Sequence, residues 1–201
     1  MSAGAPLILA SSSAVRAELL RSAGVAFGVE PAAIDEAEIK AAFQAERRAA
    51  ADCANALAEA KAMRVARRHP GSLVIGADQL LVCERSWFDK PIDRAAARAQ
   101  LLALRGKRHE LVSAVCVVRD GERLWHFVDR STLTMRNFSD KFLEDYLDAG
   151  GAEILGSVGT YRLEGIGVQL FARIEGGHFA ILGLPLLPLL DFLRGHGAVA
   201  R

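Results

Sequence analysis

The sequence predicts an α/β fold built on a mixed sheet, and three observations carry that prediction. Residues 6–10 and 73–77 are short, continuous apolar runs of the kind found in strands buried on both faces. Helical patterns alternate with such runs, as parallel pairing requires. Residues 109–118 and 124–135 flank the dipeptide Asp120-Gly121 and read as an antiparallel hairpin. With 201 residues against roughly 150 per domain, one domain is expected, with room for a small second lobe. No repeat or linker interrupts the chain.

The elements follow in order. After the strand at 6–10 come three serines and a helix with Val15, Leu19 and Ala23 on one face, stopped by Gly24. A second strand is expected at 25–29, then an acidic turn with Asp35, Glu36 and Glu38. Residues 39–69 are alanine-rich and helical; a break is expected near Asp52, whose side chain would cap a second helix. That helix carries the stripe Leu57, Ala58, Ala62 and Val65, with Lys61 inside it. The strand at 73–77 ends in Asp78, the run 80–83 continues it, and 87–91 reads as a loop. Asp93 caps a helix through Leu104, closed by Gly106. Ser139 caps a short helix to Leu147, a glycine-rich region follows, 168–174 is an alternating strand, and Gly183-Leu184-Pro185 opens a last helix to about Arg194.

Composition removes several function classes. Half the residues are hydrophobic, so the chain is not disordered. Lysine and arginine number 25 against 24 acidic residues, a balance that argues against coating a nucleic-acid polymer or an anionic membrane. A polyanionic ligand would instead be met by a few placed cations. Cys53, Cys83 and Cys116 form no CxxC pair, which fits buried, reduced thiols and a cytoplasmic protein rather than a zinc site. No signal peptide or membrane-spanning run is present in the sequence.

Three constellations bear chemistry. The first is strand, Ser11-Ser12-Ser13, and a helix with Arg16 in its first turn. Free N–H groups, the serine hydroxyls and a guanidinium fork suit a phosphate; the alternative is a serine cap beside a solvated arginine. The second is Gly76-Ala77-Asp78. A carboxylate at a strand's carboxyl end, with Gly76 leaving room for a ligand, could hold Mg²⁺ or handle the proton of an attacking water; the alternative is a turn aspartate. The third is the isolated cations Lys61 and Lys90, which either meet an anion or reach water along their stems. Glu36 is a second candidate metal carboxylate. The five histidines lack metal-ligand spacing, and there is no GxSxG elbow, no GxxxxGK[ST] loop and no GxGxxG fingerprint.

In order along the chain, residues 9–20, Asp35-Glu36, residues 57–62, residues 75–79, Lys90-Pro91, residues 104–109, residues 164–167 and residues 183–186 resemble the Maf family of nucleoside triphosphate pyrophosphatases. The resemblance covers nearly the whole chain. It implies an elongated mixed sheet flanked by helices, in two lobes with a central cleft, similar to the inosine-triphosphate pyrophosphatases. It implies hydrolysis of a nucleoside triphosphate to the monophosphate and pyrophosphate with Mg²⁺, Mn²⁺ or Co²⁺, in house-cleaning of non-standard nucleotides, and it admits a homodimer. By the same likeness Asp78 is the catalytic acidic residue, the proton acceptor for water, while Ser11, Ser13, Arg16, Glu36, Lys61 and Lys90 fall on phosphate- and metal-handling positions. Which of Asp78 and Glu36 binds the metal is left open.

The resemblance also bears on the base. In the subgroup acting on dTTP and UTP, Pro and Arg stand where this chain has Ala14 and Val15. Thr replaces Gln79 there and Gln replaces Glu164, and an Asp-Lys-Ala-Gly stretch takes the place of residues 156–159. Gln79 and Glu164 are similar to the subgroup that prefers 7-methyl-GTP. A carboxylate accepts from the N1–H and N2–H₂ edge of guanine and complements a cationic methylated ring, so a modified guanosine triphosphate is the expected substrate. Val15 stands where that subgroup often has an aromatic, which leaves ring stacking there open. Competing expectations are a dTTP/UTP or broad-specificity pyrophosphatase, and a nucleotide-binding regulator of septum formation.

Overall fold

The computed structural model describes residues 5–200. Seven strands form one mixed sheet: β1 (Leu7–Leu9), β2 (Gly28–Val29), β3 (Leu73–Cys83), β4 (Ser86–Phe88), β5 (Arg108–Arg119), β6 (Glu122–Met135) and β7 (Phe171–Glu175). Their order is β2-β1-β3-β5-β6-β7, with β4 paired to β3. β1 runs parallel to β2 and to β3, whereas β4 on β3 and β7 on β6 are antiparallel. Asp120 and Gly121 join β5 to β6 with φ of 51° and 81°, the two left-handed residues that a two-residue hairpin needs to match strand twist. The α/β expectation is met. Three free cysteines are all buried, and no helix of the described residues is long and apolar enough to cross a membrane.

Two compact units divide the chain. One comprises the chain up to Gln79, Val112–Asp129 and the chain from Gly177 onward; the other comprises Leu80–Leu111 and Arg130–Gly176. In the first unit lie α1 (Ala14–Ser22), α2 (Glu36–Ala45), α3 (Ala50–Ala66), α6 (His178–Ile181) and α7 (Leu186–Gly195). Leu7 and Leu9 of β1, Leu73 and Ile75 of β3, Leu20 of α1 and Leu189 of α7 belong to one apolar cluster. The second unit holds β4, α4 (Arg94–Leu104), α5 (Asp140–Gly150), three short 3-10 turns and β7. α4 and α5 begin where expected, because Asp93 Oδ1 accepts from Ala96 N at 2.7 Å and Ser139 Oγ from Phe142 N at 3.2 Å.

Several local expectations are corrected. α2 and α3 are separated at 46–49, the N-cap of α3 is Ala49 without a side-chain bond, and Asp52 lies in the first turn rather than at the cap. Residues 86–88 are strand rather than loop, because they pair with Leu81, Val82 and Cys83. α1 buries Ala17 and Leu20, with Ala23 exposed, so its inner face is rotated from the expected one. β2 covers only 28–29, and β7 starts at Phe171 because a 3-10 turn occupies Ile166–Leu170. The largest difference concerns Asp78. Residues 73–83 form one uninterrupted strand, so Asp78 lies in mid-strand and not at its carboxyl end.

Candidate active site

Alternation along β3 decides what each residue near Asp78 faces. Leu73, Ile75 and Ala77 belong to the cluster with α1 and α7, so Val74, Gly76 and Asp78 turn to the opposite face. That face meets α3. A Cβ on Gly76 would lie 1.9 Å from the Ala58 carbonyl oxygen and 2.9 Å from Ala62 Cβ. The room that Gly76 provides is therefore taken by helix α3 and not by a ligand. One further alternation brings Asp78 level with the next inward position of α3, three residues after Ala58, which is Lys61.

The buried stripe expected on α3 is present: Leu57, Ala58, Ala62 and Val65 have no exposed surface, and Lys61 is buried among them. Its ammonium donates to Asp78 Oδ1 at 2.6 Å and pairs with Glu36 Oε1 at 2.8 Å. Glu36 is brought there by the first turn of α2, whose N-cap Asp35 accepts from Glu38 N at 2.9 Å. The pair is well bonded on one side only: Asp78 Oδ2 is buried with no hydrogen-bond partner among the described residues. An ionised carboxylate oxygen in that state is costly unless a proton or a cation meets it. The charge at Asp78 also helps burial push the Cys53 thiol up to about 11, which keeps that cysteine protonated.

The serine turn lies on the same stretch of β3. β1 ends at Leu9 opposite Ile75, and Ala10 N takes the Ile75 carbonyl at 2.8 Å. Beyond that point the parallel ladder stops, and Arg16 Nη1 takes the Ala77 carbonyl at 3.0 Å. The same nitrogen donates to Ser11 Oγ at 3.2 Å, and Arg16 Nε donates to the Gly183 carbonyl at 2.7 Å. Ser13 caps α1, accepting from Arg16 N at 3.3 Å, while Ser11 Oγ accepts from Ser13 N at 3.2 Å. Arg16 is thus held at Nε and at Nη1. Among the described residues no hydrogen bond is made by Nη2, whose two N–H groups remain as donors. Burial lowers Arg16 below its ordinary value, and the charges of Asp78 and Glu36 oppose that shift.

A strand-borne carboxylate salt-bridged to a buried lysine, beside an arginine anchored to a serine turn, occupies the segments that carried the family resemblance. The family model described as Maf-like protein matches residues 6–196. The chain belongs to the Maf family. It is 58% identical over 190 residues to a protein of Paramagnetospirillum magneticum named nucleoside triphosphate pyrophosphatase, covering 94% of this chain and 98% of that one. Relatives of the same name from Granulibacter bethesdensis and Rhodospirillum rubrum are 55% and 54% identical over 193 and 194 residues. Each match covers 96% of this chain, with 98% and 96% of the relative's.

In this Maf chain the first unit brings together Ser11, Ser13, Arg16, Glu36, Lys61 and Asp78. Val15, beside them in sequence, is half-buried on α1. Gln79 faces the other side of β3 from Asp78. Its Nε2 lies 2.9 Å from Ser113 Oγ, 3.1 Å from the Ala180 carbonyl and 3.0 Å from the Ile181 carbonyl. Lys90 and Glu164 belong to the second unit. Lys90 is exposed in the loop after β4, and Glu164 accepts from Arg162 Nε at 3.0 Å. Arg162 also pairs with Glu153 at 2.6 Å. Sequence reasoning missed two contributors, Gly183 and Ser113. Gly183 had a signal, since it starts the Gly-Leu-Pro motif; Ser113, alone in an apolar strand, had a weaker one.

Proposed function

We infer that this chain is a nucleoside triphosphate pyrophosphatase, hydrolysing the bond between the α- and β-phosphates. The observation that carries the reading is the pairing of a buried, half-satisfied carboxylate with an anchored guanidinium in one unit of a Maf fold. Arg16 supplies N–H donors for phosphate oxygens from Nη2, and the hydroxyl-lined start of α1 adds the positive end of a helix. Lys61 orients Asp78 through its bond to Oδ1. Asp78 Oδ2, free of protein partners, is then the atom to accept the proton of an attacking water. In this account the α–β anhydride oxygen leaves with pyrophosphate while the water oxygen stays on phosphorus.

A divalent cation fits these residues. Asp78, Glu36 and Lys61 carry a formal net charge of −1, and a carboxylate oxygen is a donor of the hard type that Mg²⁺ or Mn²⁺ takes, Glu36 holding the ion where Asp78 Oδ2 takes the proton. No group of three or more His, Cys, Asp and Glu suited to a metal occurs among the described residues, so phosphate oxygens and water would complete the coordination. When bound, such an ion supplies Lewis-acid polarisation of the phosphates.

The preferred base in this proposal is 7-methylguanine or another modified guanine, on the likeness of Glu164 to the subgroup that prefers 7-methyl-GTP. Glu164 Oε1 accepts from Arg162 Nε, and a carboxylate is an acceptor-only group. Such a group matches the donor edge of guanine and mismatches uracil and thymine, whose central N–H lies between two acceptors. Removal of non-standard nucleotides in the cytoplasm is the cellular role, carried out by a homodimer. The test is pyrophosphate release from 7-methyl-GTP, GTP, UTP and dTTP with Mg²⁺, Mn²⁺ and Co²⁺ in turn. Highest kcat/KM on 7-methyl-GTP is expected, with Asp78→Asn losing at least about 100-fold. Best turnover of UTP or dTTP overturns the guanine reading, and an Asp78→Asn protein of full activity overturns the catalytic one.

A further inference from the structure

Gln79 and Ser113 form a hydrogen-bonded cluster that the catalytic account does not use. Ser113 is buried in β5 with 1% of its surface exposed, and its hydroxyl donates to the Ala180 carbonyl at 2.7 Å. Having given that hydrogen away, Ser113 Oγ acts as acceptor for Gln79 Nε2. Two carbonyls and a committed hydroxyl therefore surround one amide group, so its nitrogen and not its oxygen faces them. The amide's donors are committed to Ser113 and α6 and are withdrawn from any base.

The carbonyl they hold leads directly to the arginine. Gly183 N donates to the same Ala180 oxygen at 2.9 Å, and the Gly183 carbonyl accepts from Arg16 Nε at 2.7 Å. Gly183 has φ of +93°, and a Cβ there would stand 3.3 Å from Arg16 Nε, so this turn is shaped closely around the guanidinium. α6 is only four residues long, too short to hold its own end rigid.

We propose that Ser113, with Gln79, is a positioning residue for Arg16: it clamps the Ala180 carbonyl, which holds Gly183, whose carbonyl aims the guanidinium fork at the phosphates. This rests on the reading of Arg16 as a phosphate ligand. An interaction made alike in ground and transition states raises KM when lost and spares kcat.

The experiment is steady-state kinetics on the best triphosphate substrate for Ser113→Ala, Arg16→Lys and the double variant, with melting temperatures for each. Arg16→Lys keeps the charge but loses the Nε anchor to Gly183. Ser113→Ala is expected to raise KM about fivefold with kcat changed less than about twofold, the size of one lost hydrogen bond. In the Arg16→Lys background the same change should add less than about 1.5-fold. Ser131→Ala, another buried serine whose hydroxyl has no partner, should leave KM unchanged. Ser113→Cys, which preserves shape with a weaker donor, should fall between wild type and alanine and serves if the alanine variant does not fold. A fivefold effect that persists in the Arg16→Lys background, or a loss in kcat alone, overturns the positioning role while leaving Arg16 as ligand. An Arg16→Lys protein with unchanged KM overturns the phosphate reading itself.

Discussion

Replacing Gly76 with alanine tests how the site is assembled. The added Cβ would lie 1.9 Å from a backbone oxygen of α3, and an ordinary contact begins at 3.4 Å, so helix and strand must part by about 1.5 Å. Neither rotamer changes nor a flexible side chain can absorb this, because the Ala58 oxygen is main chain. Lys61 sits three residues further along the same helix, and a comparable shift would lengthen its 2.6 Å bond to Asp78 to about 4 Å, outside hydrogen-bond range. Overpacking of this kind costs about 2–3 kcal/mol, corresponding to a fall of about 5–10 °C in Tm. Misplacement of a catalytic group by more than 1 Å lowers kcat about 100-fold. Thermal unfolding followed by circular dichroism and pyrophosphate release under saturating substrate read the two effects. A Gly76→Ala protein with wild-type Tm and kcat would refute the claim that glycine sets the distance between α3 and β3, and with it the placement of Lys61.

Lys61→Met should destabilise the fold by about 3 kcal/mol in urea titration, since it strands the buried Asp78 carboxylate; adding Asp78→Asn to it should recover at least about half of that loss. His109, buried beside Tyr161 and Phe171, has its pKa pushed down to about 4 by desolvation. The unfolded chain takes up a proton there near the ordinary 6.5, while the folded chain resists until about 4, so stability falls as pH drops through that window and is flat below it. The slope is equivalent to about 3 kcal/mol across the window, and denaturant midpoints measured from pH 7 to pH 4 should show it flattened in His109→Gln.

Local chemistry was readable in the sequence where the residues involved are neighbours along the chain. Ser13, Asp93 and Ser139 lie beside helix starts because a short oxygen-bearing side chain reaches an N–H three residues on, whatever the rest of the fold does. The Asp120-Gly121 hairpin and the α3 stripe are legible for the same reason, and the ordered motifs were enough to indicate the family. The extent of β3 was not legible. Asp78 interrupts an apolar run, and only pairing to β4 and its other neighbours shows that the strand continues through it.

By itself, then, the sequence determined the fold class, the caps at Asp93 and Ser139, the turn at 120–121, and the set of charged residues on which the chemistry depends. Tertiary structure alone decided their partners. Arg16 finds its anchor 167 positions away at Gly183, Gln79 turns from Asp78 to the opposite face of the sheet, and Gly76 admits a helix where a ligand had been expected. The reason is physical: periodicity and capping report energies within a few residues, whereas contacts between distant segments arise only when the sheet order brings those segments together.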